Sequence, residues 1–247
     1  MMSLTTANLA GTVKKQYFFK LRANYDAFSS LLGIQLLAIF ISLGGANSFF
    51  SSSYTTVLQI RYFSADIIIG FSMLWAFVTG ITITTKPYRN HDFTFVTNRL
   101  SSSLSNILFL LTASIIGGMT AMLARNLPLL MRYLFFDDTI YIMKLTVSDF
   151  LLGTVVAIVY LFGVSAIGYF VGTLVQISKL FVVFIPALFI GLLILSTTIS
   201  GEPFIVDIFE FYIMESSLGL FLLKMILTTA IFFIVSISML NRMEVRR

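Results

Sequence analysis

The sequence predicts an all-α, polytopic membrane protein. Three observations carry that reading: 58% of the 247 residues are hydrophobic, mean hydropathy is +0.97, and the charged residues make up only 11% of the chain. Ordinary soluble domains are roughly 45–50% apolar and about a quarter charged, and a water-soluble fold of this length could not hide the excess apolar surface. The charges are also clustered. They leave apolar stretches of about 20 residues, the helical length that crosses a hydrocarbon core of roughly 30 Å.

Hydropathy places six spans, at 29–49, 65–84, 104–123, 150–173, 180–199 and 217–240, within one transmembrane domain covering 1–247. The fourth and fifth are separated only by Leu174 to Lys179, so they are either a tightly turned pair or one long broken span. With both termini in the cytoplasm, the inner side collects Lys14, Lys15, Lys20, Arg22, Lys86, Arg89, Arg99, Lys179, Arg242, Arg246 and Arg247, against Arg61, Arg125, Arg132 and Lys144 outside. This basic bias explains the net charge of +5 without nucleic acid as a partner and requires an even number of spans. Met1 to Thr12 is nearly uncharged and lacks a basic segment followed by an apolar one, so no signal peptide is expected. The expected location is the plasma membrane.

Ahead of the first span, 14–28 has an amphipathic period. Tyr17, Leu21, Tyr25 and Phe28 share one face with Phe18 beside them, while Lys15, Arg22 and Asp26 fall elsewhere. The segment reads either as a helix in the inner interface, with its basic residues toward anionic lipid, or as an extension of the first span. Pro87 should stop the second span. Beyond it, Asn90 or Asp92 can cap a short surface helix, or Phe93 and Phe95 can anchor an irregular loop, and Ser101, Ser102 and Ser103 offer caps for the third span.

On the outer side, Arg125 to Asp149 carries Leu-Pro-Leu-Leu and an aromatic run at Tyr133 to Phe136, which predicts short interfacial helices. In Gly201 to Glu215, Gly201 and Pro203 break the chain before alternating aromatic and acidic residues. That pattern fits either a half-helix dipping into the bundle or an amphipathic cap lying flat. Lys224, about two turns into the last span, can snorkel outward or pair with Glu210 or Glu215. Ala113, Gly117 and Ala121 form a small-residue ladder in the third span, and Gly168 with Gly172 is a GxxxG in the fourth. Both are expected to serve close helix packing within the chain or contact with another subunit.

The chemistry available to the chain is narrow. Cysteine is absent and His91 is the single histidine, so thiolate or clustered-histidine metal sites and cysteine nucleophiles are excluded, and no metal site is expected. No carboxylate pair lies at buried depth, and no GxxxxGK[ST] occurs. The chain is therefore not expected to be an enzyme, and any use of ATP must reside in another polypeptide. There is no midplane carboxylate chain of the kind that carries protons, nor a broken-helix repeat, which argues against ion-coupled transport.

Six spans with both ends inside, an interfacial helix before the first, a short inner segment between the second and third, and a half-helix between the fifth and sixth resemble the membrane subunit of a type-2 ABC transporter. The resemblance covers essentially the whole chain as a layout. Locally, Phe93 to Leu108, FTFVTNRLSSSLSNIL, is similar to the family's segment leading from the coupling helix into the third span. The resemblance implies cytoplasmic P-loop ATPase subunits as partners, with ATP and magnesium bound there and no cofactor in this chain. It further implies a second permease subunit, identical or related. Phe93, Phe95 and Arg99 would contact the ATPase or place the coupling segment, and Lys15, Phe18, Arg22 and Tyr25 would belong to the connecting helix. Compactness and the lack of cysteine look most like small permeases of Gram-positive bacteria that export amphipathic peptides or remove antimicrobial ones. The competing expectations are a non-transporting accessory or immunity protein and an ion-coupled secondary transporter.

Overall fold

The computed structural model describes residues 9–43, 47–52, 57–62, 66–85, 87–88, 99–135, 146–201, 203–215 and 217–242. In chain order these form α1 (Leu9–Ala23), α2 (Tyr25–Ser42), strands β1 (Asn47–Ser52) and β2 (Val57–Tyr62), α3 (Asp66–Thr82), α4 (Arg99–Ala124), α5 (Leu127–Phe135), α6 (Val147–Ile177), α7 (Phe181–Ser200), α8 (Phe204–Ile213) and α9 (Leu218–Arg242). Among the described residues five helices are long and apolar enough to cross a membrane, and a further apolar helix, Asp66–Thr82, has 17 residues. The chain is a multi-spanning helical membrane protein.

The first expected span shifts toward the N-terminus. Helix α2 begins at Tyr25 and ends at Ser42 instead of running from 29 to 49, because Gly44 and Gly45 are poor helix formers and the chain beyond them pairs as a hairpin. In that hairpin β1 and β2 are antiparallel, with Asn47 opposite Tyr62 and Ser52 opposite Val57. The amphipathic segment expected over 14–28 is split. Asn24 leaves the helical region (φ −103°, ψ 37°), so Lys14 to Ala23 belong to α1 and Tyr25 to Phe28 open α2. Ser101, Ser102 and Ser103 lie inside α4, which already starts at Arg99; they do not cap it. Ser101 and Ser103 are buried there, where small side chains let neighbouring helices approach. Between α6 and α7 the backbone of Ser178 is extended (φ −148°, ψ 131°), so these are two helices joined by a tight turn.

Helix α6 is the centre of the bundle and packs on α3, α4 and α9. Its contact with α3 is a backbone contact. A Cβ at Gly168 would collide with the carbonyl oxygen of Phe77, one at Gly80 with the carbonyl oxygen of Ser165, and one at Gly172 with the Thr84 hydroxyl. On the α4 side, a Cβ at Gly118 would come within 2.9 Å of the Ile158 nitrogen, and one at Gly117 within 2.7 Å of Leu161 Cδ2. Ala113 is buried with Leu31, Trp75, Ala76 and Leu161, and Ala121 with Ala38, Ile39 and Ile68. The small-residue ladder and the GxxxG lie against neighbouring helices of the chain, where close approach replaces the weak hydrophobic drive between helices in lipid. In the interior, the Gln35 amide Nε2 donates to Ser72 Oγ at 3.1 Å and to the Gly117 carbonyl at 3.2 Å.

Charge divides the bundle into two ends. Where α1 meets α2, α4 begins and α6 meets α7 stand Lys20, Arg22, Arg99 and Lys179, with Asp26 among them; at the opposite end stand Asp66, Asp149, Asp207, Glu210 and Glu215, with Arg125 among them.

Helix α8 lies at the acidic end against α7 and α9, with Ile205, Ile208, Phe209 and Phe211 exposed. Gly201, at φ 77°, adopts the left-handed conformation that glycine accepts without cost, its N–H donates to the Thr197 carbonyl at 3.2 Å, and Pro203 then starts α8. The Phe204 ring lies edge-on to Phe189, well inside α7. At the other end of α8, the Tyr160 hydroxyl in mid-α6 donates to the Tyr212 carbonyl at 2.8 Å. Lys224, part-way along α9, pairs with Glu215, donates to the Phe211 carbonyl at 3.3 Å and sits 4.1 Å from the centroid of the Phe211 ring.

The hydrogen bond from Lys224 holds the Glu215 carboxyl below the usual carboxylate range, and the Lys224 charge adds to it. A lowered folded value means that the pair's contribution is present above the ordinary carboxylate range and is lost as pH falls through the lowered value. After correction for intrinsic exchange, the backbone amides of Phe204–Ile213 are expected to lose hydrogen-exchange protection on acidification. Glu215→Gln should show the same weak protection at neutral pH and no further acid dependence; equal protection in the variant and the parent at pH 7 would show that the pair does not hold α8.

Candidate functional site at the basic end

The helix ends that carry the basic residues enclose a cleft of about 300 Å³. Its walls are Lys20 and Asn24 at the α1–α2 joint, Ile83 and Tyr88 at and beyond the end of α3, and Asn106 of α4, with Asp26 at the rim. Helix α1 comes here because its face with Val13, Gln16 and Lys20 is buried along α4. The Tyr17 hydroxyl shares a hydrogen bond with Thr112 Oγ1 at 2.8 Å, and further along α1 the Lys20 ammonium donates to Asn106 Oδ1 and, at 3.2 Å, to the Ser102 carbonyl. The partners step backward along α4 as α1 advances, so the two helices run antiparallel. Lys20 is only 5% exposed; a charge buried that deeply is tolerable because oxygen acceptors replace its water.

The other helix ends are tied together around the same cleft. Trp75 Nε1 donates to the Ala27 carbonyl and to Ser30 Oγ, both at 3.0 Å, which fixes the start of α2 against α3. The Gln176 amide near the end of α6 donates to the Thr84 carbonyl after α3. Arg99 Nη1, at the first residue of α4, donates to the Leu240 carbonyl near the end of α9 at 2.7 Å. These bonds place both flanks of the 86–98 segment, the end of α3 and the start of α4, on a braced frame.

Of the residues singled out from sequence, Phe93 and Phe95 lie outside the described residues. Arg99 is engaged within the chain through Leu240. Lys15, Phe18 and Arg22 are exposed on α1 and Tyr25 at the start of α2; Phe18 is 52% and Tyr25 70% exposed. The sequence reading passed over Gln16, Asn24 and Asn106, and counted Lys20 only among the inner basic residues. A signal for them existed, since Gln16, Lys20 and Asn24 recur at four-residue spacing and so share a helix face. It was masked by the aromatic stripe beside it, which has the same period. Among the described residues no group of histidine or acidic side chains is placed to hold a metal ion. Compared with protein-family models, curated proteins and solved structures, the chain matches none.

Proposed function

We propose that the chain is the permease subunit of an ATP-driven exporter, with the basic end of the bundle facing the cytoplasm of a bacterial cell and the 86–98 segment seated on a separate P-loop ATPase. The observation that supports this reading most is the braced frame around that segment: Arg99 to α9, Lys20 to α4, and Gln176 to the end of α3. A device that converts a push from outside the membrane into helix movement needs stiff flanks at the point of contact, and it needs little chemistry of its own. Work is transmitted only if the partner binds the two states of the bundle with different free energy. The excess of basic residues at this end fits the side that stays in the cytoplasm. The exposed Lys15, Phe18, Arg22 and Tyr25 supply mixed cationic and aromatic contact area for an ATPase or an anionic headgroup layer.

Under this reading a second permease subunit completes the path, ATP and magnesium bind in the partner, and the sparse buried charge of the spans favours a hydrophobic or amphipathic cargo such as a peptide. A tagged chain purified from its native membranes in mild detergent is expected to retain a soluble P-loop ATPase at stoichiometric yield. Phe93→Asp should reduce that yield at least tenfold while the subunit still inserts. Recovery of the chain alone, or an ATPase yield indifferent to Phe93→Asp, would sink the coupling role and favour a non-transporting accessory or immunity protein. Flux that survives ATP depletion and collapses with the proton gradient would favour a secondary transporter.

A further inference from the structure

The cleft at the basic end is walled by polar groups that the chain leaves uncommitted. Asn24 is 6% exposed and lines the cleft, and its amide neither caps α2 nor bonds to any other described residue. Asn106, 7% exposed, is committed on one side only. The Lys20 ammonium has no acceptor, so the Asn106 oxygen must face it, and the two N–H donors of the Asn106 amide point elsewhere without a partner among the described residues. Buried polar groups normally find partners. Among the described residues, the side-chain polar atoms sealed from solvent without one belong to Gln16 and Ser42; the amides of Asn24 and Asn106 are not sealed, because they open on the cleft.

The electrostatics of the cleft favour one kind of ligand. Lys20 keeps its own bonds but lines the same space, and its charge acts in surroundings that screen it poorly. Helix α2, 18 residues long, begins at this joint, and its N-terminal end adds partial positive charge. With amide donors on two walls, these charges favour an oxyanion. Asp26, in the first turn of α2 at the rim, would repel a ligand that was anionic throughout. It is matched by a ligand that carries a cation beside its oxyanion.

Depth identifies the source of that ligand. Helix α2 is long and apolar enough to span, and it starts at Tyr25, so Asn24 and Asp26 stand where a spanning segment leaves the hydrocarbon. The exposed Tyr25 ring suits this headgroup level. The oxyanion most concentrated there is the phosphodiester of membrane lipid. A volume of about 300 Å³ is at the small end of ligand pockets, roughly 300–1,000 Å³, so it takes a headgroup and leaves the acyl chains to the bilayer. We infer that the cleft binds the phosphoethanolamine headgroup of a membrane lipid, its phosphodiester on the amide N–H groups of Asn24 and Asn106 in the field of Lys20, its ammonium on Asp26. The inference concerns the bundle alone and stands whether or not an ATPase is the partner.

The full chain is placed in nanodiscs of equimolar dioleoyl phosphatidylethanolamine and dioleoyl phosphatidylglycerol, and the lipid it retains is identified by native mass spectrometry. The parent is expected to retain phosphatidylethanolamine over phosphatidylglycerol by roughly tenfold. Asn24→Asp and Asn106→Asp are same-sized replacements that turn an amide donor into a carboxylate oxygen, and the second still offers Lys20 an acceptor. Each should cut phosphatidylethanolamine retention about tenfold, the scale of one hydrogen bond to a charged group. Asp26→Asn should remove the preference between the two lipids without lowering their total. Arg22→Gln alters an exposed cation outside the cleft lining and should change nothing. Equal retention of both lipids by the parent, or a loss on Arg22→Gln as large as on Asn24→Asp, would overturn the proposal. Displacement of the retained lipid by inorganic phosphate would overturn it too, by making the cleft a site for a free anion.

Discussion

Gly168→Leu is expected to abolish the folded bundle, and Gly168→Ala to destabilise it by about 1–3 kcal/mol, the usual cost of forcing extra volume into a packed site. The reason is that the obstacle is backbone. A Cβ at this position meets the Phe77 carbonyl oxygen, and the Phe77 carbonyl carbon and Cα lie at 3.0 and 3.1 Å, so no side-chain rotation relieves the clash. Helices α3 and α6 would have to separate, and that seam also carries Gly80 and Gly172. Gly70→Ala is the matched control, because it lies in α3 with nothing within 4 Å of its added Cβ. It should be neutral or stabilising by roughly 0.5–1 kcal/mol, as expected when alanine replaces a helical glycine without a clash. Thermal unfolding in detergent, followed by the surviving monodisperse peak, distinguishes the two. Equal melting temperatures for Gly168→Ala and Gly70→Ala would refute the close approach of α3 and α6.

Asn106→Leu should cost about 1.5–3 kcal/mol, the range for a hydrogen bond to a charged group, and the damage should be local. The substitution removes an acceptor from the Lys20 ammonium, which is only 5% exposed. Helix α1 is expected to lose hydrogen-exchange protection while the α3–α6 seam keeps its own. Asn106→Asp supplies an oxygen acceptor again and should restore protection to α1, whereas a purely steric role for Asn106 would leave Asp and Leu equally damaging. Under the exporter function proposed above, Asn106→Leu is expected to lower the coupling of ATP hydrolysis to transport, since α4 also carries Arg99, which is bonded to α9.

Much of the bundle is legible from composition because lipid imposes a single demand: backbone polar groups must be satisfied within the segment, and apolar runs of spanning length therefore become helices. Hence α6, α7 and α9 fall close to the apolar stretches at 150–173, 180–199 and 217–240. Boundaries were less legible where a local preference competes with hydropathy. Phe49 belongs to an apolar run, yet Gly44 and Gly45 precede it and the chain pairs as a strand. Ser101 to Ser103 read as caps because serine favours helix starts, but their burial against neighbouring helices keeps them inside α4. The cleft at the basic end was visible only as a cluster of cations. Which of them is buried depends on the face that α1 turns to α4, and the aromatic stripe of the same period hid that face.

The sequence by itself determined that this protein is helical and multi-spanning and that its basic residues gather at one end, because hydrophobic length and charge are summed along the chain and need no knowledge of neighbours. The tertiary structure alone decided the rest. It assigned Gly168 and Gly172 to α3, turned Lys20 inward and Arg22 outward on the same helix, and set Glu215 against Lys224. Each of these depends on which helix lies opposite, and in a lipid-exposed chain apolar periodicity cannot choose that partner, since lipid and protein are equally apolar. Close contact at glycines and the few buried polar groups make the choice, through distances that exist only once the helices have come together.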